Sequence, residues 1–205
     1  FIGSYGVMEM SGGDIAYLET ADVYGLDRAV EFSVTRMAPE PLNRYNATKD
    51  WFFRDSNWSP DFAVSSQQAI ELFLQEAGFL SEDSAVPVAE AIDHLVGITP
   101  TYASDILAIT GPITVGGQTF TSENVADLLE YQGQYGYAAS GIPETQRKEI
   151  LADLVNEMKT RLYSLSSQEW PKVFEVSQTA LLEKQMLLYS TDKEIQGVLT
   201  QVGWA

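Results

Sequence analysis

The chain has 205 residues, 45% hydrophobic and 20% charged, with 29 acidic against 12 basic side chains and a net charge of −17. That length suits one domain with a real core, and the acidic field argues against nucleic acid or an anionic membrane surface as partner. No cysteine is present, which excludes disulfides, thiolate metal sites and a cysteine nucleophile. No run is long and apolar enough to span a bilayer, and no signal peptide is visible. The chain opens strand-like at Phe1-Ile2-Gly3 and closes at Gly203-Trp204-Ala205 without a polar tail. The expectation is a single α/β domain over 1–205, cut from a longer protein, with any N-terminal membrane anchor outside it.

Ile2 to Met10 reads as a strand, Ser11-Gly12-Gly13-Asp14 as a hairpin turn and Ile15 to Val23 as the partner strand. The mixed segment 24–50 carries a short apolar-periodic piece near Ala29–Val34 and the breakers Pro39 and Pro41, as a mobile loop over a site would. Trp51-Phe52-Phe53 leads into a polar run, Arg54-Asp55-Ser56-Asn57-Trp58-Ser59-Pro60-Asp61-Phe62, and a helix follows over Ser65–Ala77 with Ala69, Ile70, Phe73, Leu74 and Ala77 on one face. Asp61 is placed to cap it. Ala91–Ile98 reads as a buried strand, and Thr99-Pro100 starts a helix that Gly111-Pro112 stops.

A small hairpin is expected at Ile113–Val115 and Gln118–Phe120 around Gly116-Gly117. Thr121 or Ser122 then caps a helix running to about Tyr131, and a Gly- and Tyr-rich loop spans Gln132–Ile142. Pro143 opens the longest helix, to about Leu165; another helix covers Gln168–Leu182, Met186–Tyr189 is a short strand, and Asp192 caps a last helix. The alternation predicts an α/β fold with a mixed β-sheet flanked by helices, opening with a β-hairpin, in which Ile2–Met10, Ile15–Val23 and Ala91–Ile98 share one sheet.

The common catalytic signatures are missing: there is no phosphate loop with lysine, dinucleotide fingerprint, nucleophile elbow or zinc motif. The single histidine, His94, falls in an apolar strand pattern and reads as structural. Asn46-Ala47-Thr48 and Asn57-Trp58-Ser59 match the N-glycosylation pattern, which is common by chance. The candidate site residues lie at element ends. Asp22 closes the second strand, where a carboxylate suits a hard divalent cation. Arg28, Arg54 and Arg147 suit phosphate oxygens. Asp55, Asn57 and Trp58 belong to the polar run, which enters a helix whose free N–H groups favour an anion. The plainer reading of the same run is that Asp61 caps, Arg54 pairs with Asp55 and Trp58 packs, largely buried, at the cost of about 3–5 kcal/mol when truncated.

Taken together, Phe1-Ile2-Gly3-Ser4-Tyr5-Gly6, the Arg54–Phe62 run, Ile109–Val115 with Thr121–Val125, and the closing Gly203-Trp204 resemble a bacterial and archaeal family known as domain of unknown function 4012. Its members look like extracytoplasmic proteins tethered by an N-terminal membrane helix, with no established activity. More distantly, the element order is similar to that of the LytR–CpsA–Psr (LCP) phosphotransferases, which move glycopolymers from polyprenyl-pyrophosphate lipids to the cell wall with Mg2+ and arginines. Ile92–Ile98 followed by Leu107–Val115 and the helix led by Gln146-Arg147 are similar to their corresponding passages. The departures are Ala21 where an arginine is expected, glycines where an acidic residue is expected near the first strand, and the Gly/Tyr loop in place of an arginine-rich stretch.

The resemblance implies a cell-surface location and two readings. In one, the domain binds an envelope glycan, a lipid phosphate or a surface protein through Asn57, Trp58 and Arg28, with Trp51, Tyr135 and Tyr137 as further stacking residues. In the other, it is a Mg2+-dependent phosphotransferase with Asp22 on the metal and Arg54, Asp55 and Arg147 as catalytic residues. The second requires Arg54 and Arg147 to converge, with Asp22, Asp55 or Asp61 beside them. The incomplete arginine set favours the first.

Overall fold

A computed structural model describes residues 2–33, 36–46, 49–81, 84–134 and 144–205, with backbone alone at 130–134 and 144–149. Its contacts divide the chain into two compact units, Phe1–Leu95 and Val96–Ala205. Helix outweighs strand, and the α/β class with an opening hairpin is as expected.

The first unit begins with β1 (Ser4–Ser11) and β2 (Asp14–Asp22), an antiparallel pair in register from Ser4↔Asp22 to Ser11↔Asp14 with a bulge at Glu9/Met10. Gly12 and Gly13 both hold positive φ, 63° and 93°, the requirement of a tight hairpin turn that side chains with a Cβ resist. The chain turns directly into α1 (Val23–Ala29), capped by Asp22, whose Oδ1 accepts the Tyr24 N–H at 2.8 Å. The segment expected to be an open loop contains this helix and α2 (Glu40–Asn46); Pro41 falls in the first turn of α2, where a missing N–H costs nothing. A single 3-10 turn, Phe53–Asp55, leads to α3 (Phe62–Ala77), capped as expected by Asp61 through the Val64 N–H at 3.1 Å. The core joins Val23, Leu26, Trp51, Phe53, Ala69, Leu72 and Phe73. Tyr5, Phe53 and Phe73 meet edge to face at 5.5–5.6 Å between ring centres.

The second unit holds β3 (His94–Ile98, beginning just inside the first), α4 (Pro100–Thr110), β4 (Ile113–Val115), β5 (Gln118–Phe120), α5 (Val125–Gln134), α6 (Glu144–Ser164), α7 (Trp170–Leu182), β6 (Met186–Ser190) and α8 (Lys193–Gln201). Leu107, Ile113, Phe120, Val125, Ile150 and Leu154 form its core. Arg161 closes the end of α4 by donating from Nη1 to the Thr110 and Pro112 carbonyls at 3.3 and 2.5 Å. Of the loop expected over Gln132–Ile142, Gln132–Gln134 belong instead to the end of α5, and the rest, with Tyr135 and Tyr137, lies outside the described residues.

The single sheet is corrected. Among the described residues the strands form three two-stranded sheets, β1–β2, β3–β6 and β4–β5. An apolar five-residue strand names no partner, and β3 is satisfied by β6, about ninety positions further along the chain. Nor is β3 buried: its side chains alternate between exposed and half-buried, with Val96 and Ile98 on the outside and His94 exposed.

Candidate functional site

The charged interior of the first unit lies under the Phe53–Asp55 turn. Arg54 donates from Nη1 to Asp27 Oδ2 at 2.8 Å, and its Nε stands 3.5 Å from Asp55 Oδ2. Its guanidinium also lies over the rings of Phe52 at 4.6 Å and Tyr24 at 5.7 Å, two contacts that favour a cation away from water. Backbone bonds fix the turn itself. The Ile2 N–H donates to the Arg54 carbonyl at 2.9 Å, and Trp51 Nε1–H donates to the Asp55 carbonyl at 3.1 Å.

From α3, Glu76 reaches the same place. Its Oε1 accepts the Phe53 N–H at 2.7 Å, and its carboxyl lies close enough to that of Asp27 for the two to act on each other's titration. Asp27 is 1% exposed and Glu76 0%. Burial, then the Asp27 charge, pushes the Glu76 carboxyl up to about 9. Burial likewise raises Asp27, against the pull of the Glu76 carboxyl and of Arg54, and raises Asp55 against Arg54. Tyr5, whose hydroxyl donates to the Pro87 carbonyl at 3.0 Å, is raised by burial and by the Glu76 and Asp27 charges. No group of three acidic or histidine side chains among the described residues is disposed to hold a metal ion.

The expected site residues divide accordingly. Arg54 and Asp55 do meet, but the closest carboxylate on Arg54 is Asp27, not Asp22 or Asp61, which are occupied as helix caps at 2.8 and 3.1 Å. Arg28 follows Asp27 on α1 and places its guanidinium 5.6 Å from the Tyr24 ring centre. Arg147 is on α6, in the second unit, and its side chain lies outside the described residues. Asn57 is exposed.

Trp58 corrects the expectation of burial: it is 42% exposed, while Trp51, expected as a stacking surface, is 7% exposed with Arg36 over its face at 4.8 Å. The reason is local. The chain after the 3-10 turn bends outward through Asn57–Pro60 before Asp61 opens α3, so the indole rides on the outside of that bend.

Glu76 escaped sequence reading although a signal existed. It lies three and four residues beyond Phe73 and Leu72 and seven beyond Ala69, in phase with the buried stripe of α3. A carboxylate in phase with a core stripe calls for a partner, and Asp27 with Arg54 supplies it.

The geometry defines, in the first unit, a half-buried turn pinned from beneath by buried charge. The family described as "Protein of unknown function (DUF4012)" matches residues 1–135, and the chain belongs to that family. No curated protein and no solved structure matches the chain. No helix among the described residues is long and apolar enough to cross a membrane.

Proposed function

We propose that this chain is an extracytoplasmic, cell-surface binding domain that takes a glycan of the cell envelope on the turn carrying Asn57 and Trp58. One observation carries the reading: a large aromatic ring, 42% exposed, sits on a bend that the Asp61 N–H and the Ser65 hydroxyl tie to Ser59, directly after a turn whose backbone is fixed by bonds to Trp51, Ile2 and Glu76. A half-exposed indole offers apolar area to a sugar face at little entropic cost. The resemblance noted in the sequence supports the envelope location.

The phosphotransferase alternative asks Arg54 to meet phosphate beside Mg2+. Its guanidinium is instead engaged by Asp27, Asp55, Phe52 and Tyr24, and withdrawing it would leave Asp27 buried without its cation. The binding reading therefore expects no thermal shift from pyrophosphate with Mg2+.

Titration with soluble cell-wall oligosaccharides, followed by tryptophan fluorescence and calorimetry, tests the proposal. Saturable binding is expected for the natural chain and its loss for Trp58→Ala, with an unchanged urea midpoint. Equal binding by the two proteins, or a thermal shift by pyrophosphate and Mg2+ that Arg54→Ala removes, overturns it.

A further inference from the structure

The buried cluster contains an imbalance of charge that the proposed binding role does not use. Asp27 and Glu76 are both enclosed, and Arg54 is the one cation among the described residues in contact with either. Each carboxyl has one oxygen satisfied: Asp27 Oδ2 by Arg54 and Glu76 Oε1 by the Phe53 N–H. The other two, Asp27 Oδ1 and Glu76 Oε2, are buried and take no donor from nitrogen or hydroxyl. Two carboxylates that are both ionised have only acceptors to offer each other.

We propose that Asp27 and Glu76 share a single proton, carried by Glu76 and donated to Asp27, which with Arg54 forms an alkali-labile lock holding the Phe53–Asp55 turn to α1 and α3. The proton satisfies both orphan oxygens with one bond and leaves one carboxylate for one guanidinium. The described groups that face the pair are consistent with this. β1 contributes Tyr5, a hydroxyl that stays neutral. α1 contributes Asp27 itself. The turn contributes Arg54, already matched to Asp27, and Asp55, whose carboxylate adds negative charge beside it. On its own element Glu76 is flanked in phase by Phe73 and Leu72, which solvate nothing.

The sign of the linkage follows. Glu76 titrates higher in the folded chain than in the unfolded one, so folding takes up a proton. Below the ordinary carboxyl range Asp27, also raised by burial, loses its charge and its pairing with Arg54, whereas the stabilisation from the Glu76 proton is fully present. That stabilisation then falls as pH rises through the window up to about 9, as the unfolded chain gains the ionised form first. Glu76→Gln replaces the shared proton with an amide N–H that donates to Asp27 while the amide oxygen still accepts from Phe53.

The 205-residue chain and its Glu76→Gln variant are unfolded with urea at a series of pH values from about 6 to about 8.5. The folding constant of the natural chain is expected to fall relative to the variant's by about tenfold per pH unit. Parallel dependences overturn the proposal. Should the variant fail to fold, the carboxyl carbon of Glu76 in the natural chain, followed by 13C NMR over the same range, decides it. A protonated carboxyl at neutral pH supports the lock, and an ionised one there overturns it. Neither measurement depends on what Trp58 binds.

Discussion

Trp51 and Trp58, seven residues apart, divide the work of the central run. Trp51 is 7% exposed and gives its indole N–H to the Asp55 carbonyl, so it anchors the turn. Trp51→Ala removes a core ring and orphans a carbonyl, and the expected loss is about 3–5 kcal/mol. Trp58→Ala removes a partly solvated ring, and the expected loss is under about 1 kcal/mol. Urea midpoints of the two variants check the ordering, and equal losses would refute the division. The sequence shows both indoles beside the same polar residues, and nothing in their spacing says which one turns inward. That depends on the outward bend at Asn57–Pro60, a matter of backbone path. Asp61 and Asp192 were legible as caps because capping is a contact within three residues: Asp61 reaches Val64, and Asp192 accepts from the Glu194 and Ile195 N–H groups. The Arg54–Asp27 pair joins residues 27 positions apart, and only the fold brings them together.

At the scale of elements, the turns and the short hairpin were the most readable features, since positive φ leaves a sequence mark. The β4–β5 connection is Gly116-Gly117 with φ of 56° and 77°, and both strands fall where the glycines put them. The two glycines are not equivalent. A Cβ on Gly116 would come within 2.6 Å of Ile150 Cγ1 on α6, whereas one on Gly117 meets nothing within 4 Å. Gly117→Ala is therefore expected to cost only the left-handed backbone, about 1–2 kcal/mol. Gly116→Ala adds displacement of a core isoleucine and should cost measurably more, on the order of 1 kcal/mol further. Thermal or urea unfolding of the two variants tests this, and an equal loss would mean that Ile150 moves aside freely. The pairing of β3 was the least readable feature. Its apolar residues predicted burial in one sheet with the opening hairpin, but a strand's alternation fixes its faces and not its neighbour, and β3 lies against β6 with Val96 and Ile98 outward.

For the whole molecule, the charge read from composition sets the response to salt. A net −17 places many like charges on the surface of each unit, and the compact state concentrates them. The opposing attractions among the described residues are mostly exposed: Arg36–Glu71, Arg44–Glu40 and Arg161–Glu157 lie at the surface, where such pairs contribute little. The Arg54–Asp27 pair is enclosed and therefore screened weakly by added ions. Raising ionic strength from about 0.01 M to about 0.15 M shortens the screening length from roughly 30 Å to roughly 8 Å. That weakens long-range repulsion across the folded surface while leaving the buried pair almost untouched. The urea midpoint at constant neutral pH is therefore expected to rise with sodium chloride over that range. Glu76→Gln should shift the whole curve without changing its salt dependence, because a buried proton is not a surface charge. A midpoint that falls with salt would mean that the exposed ion pairs outweigh the repulsion, and that the acidic excess is already neutralised in the folded chain.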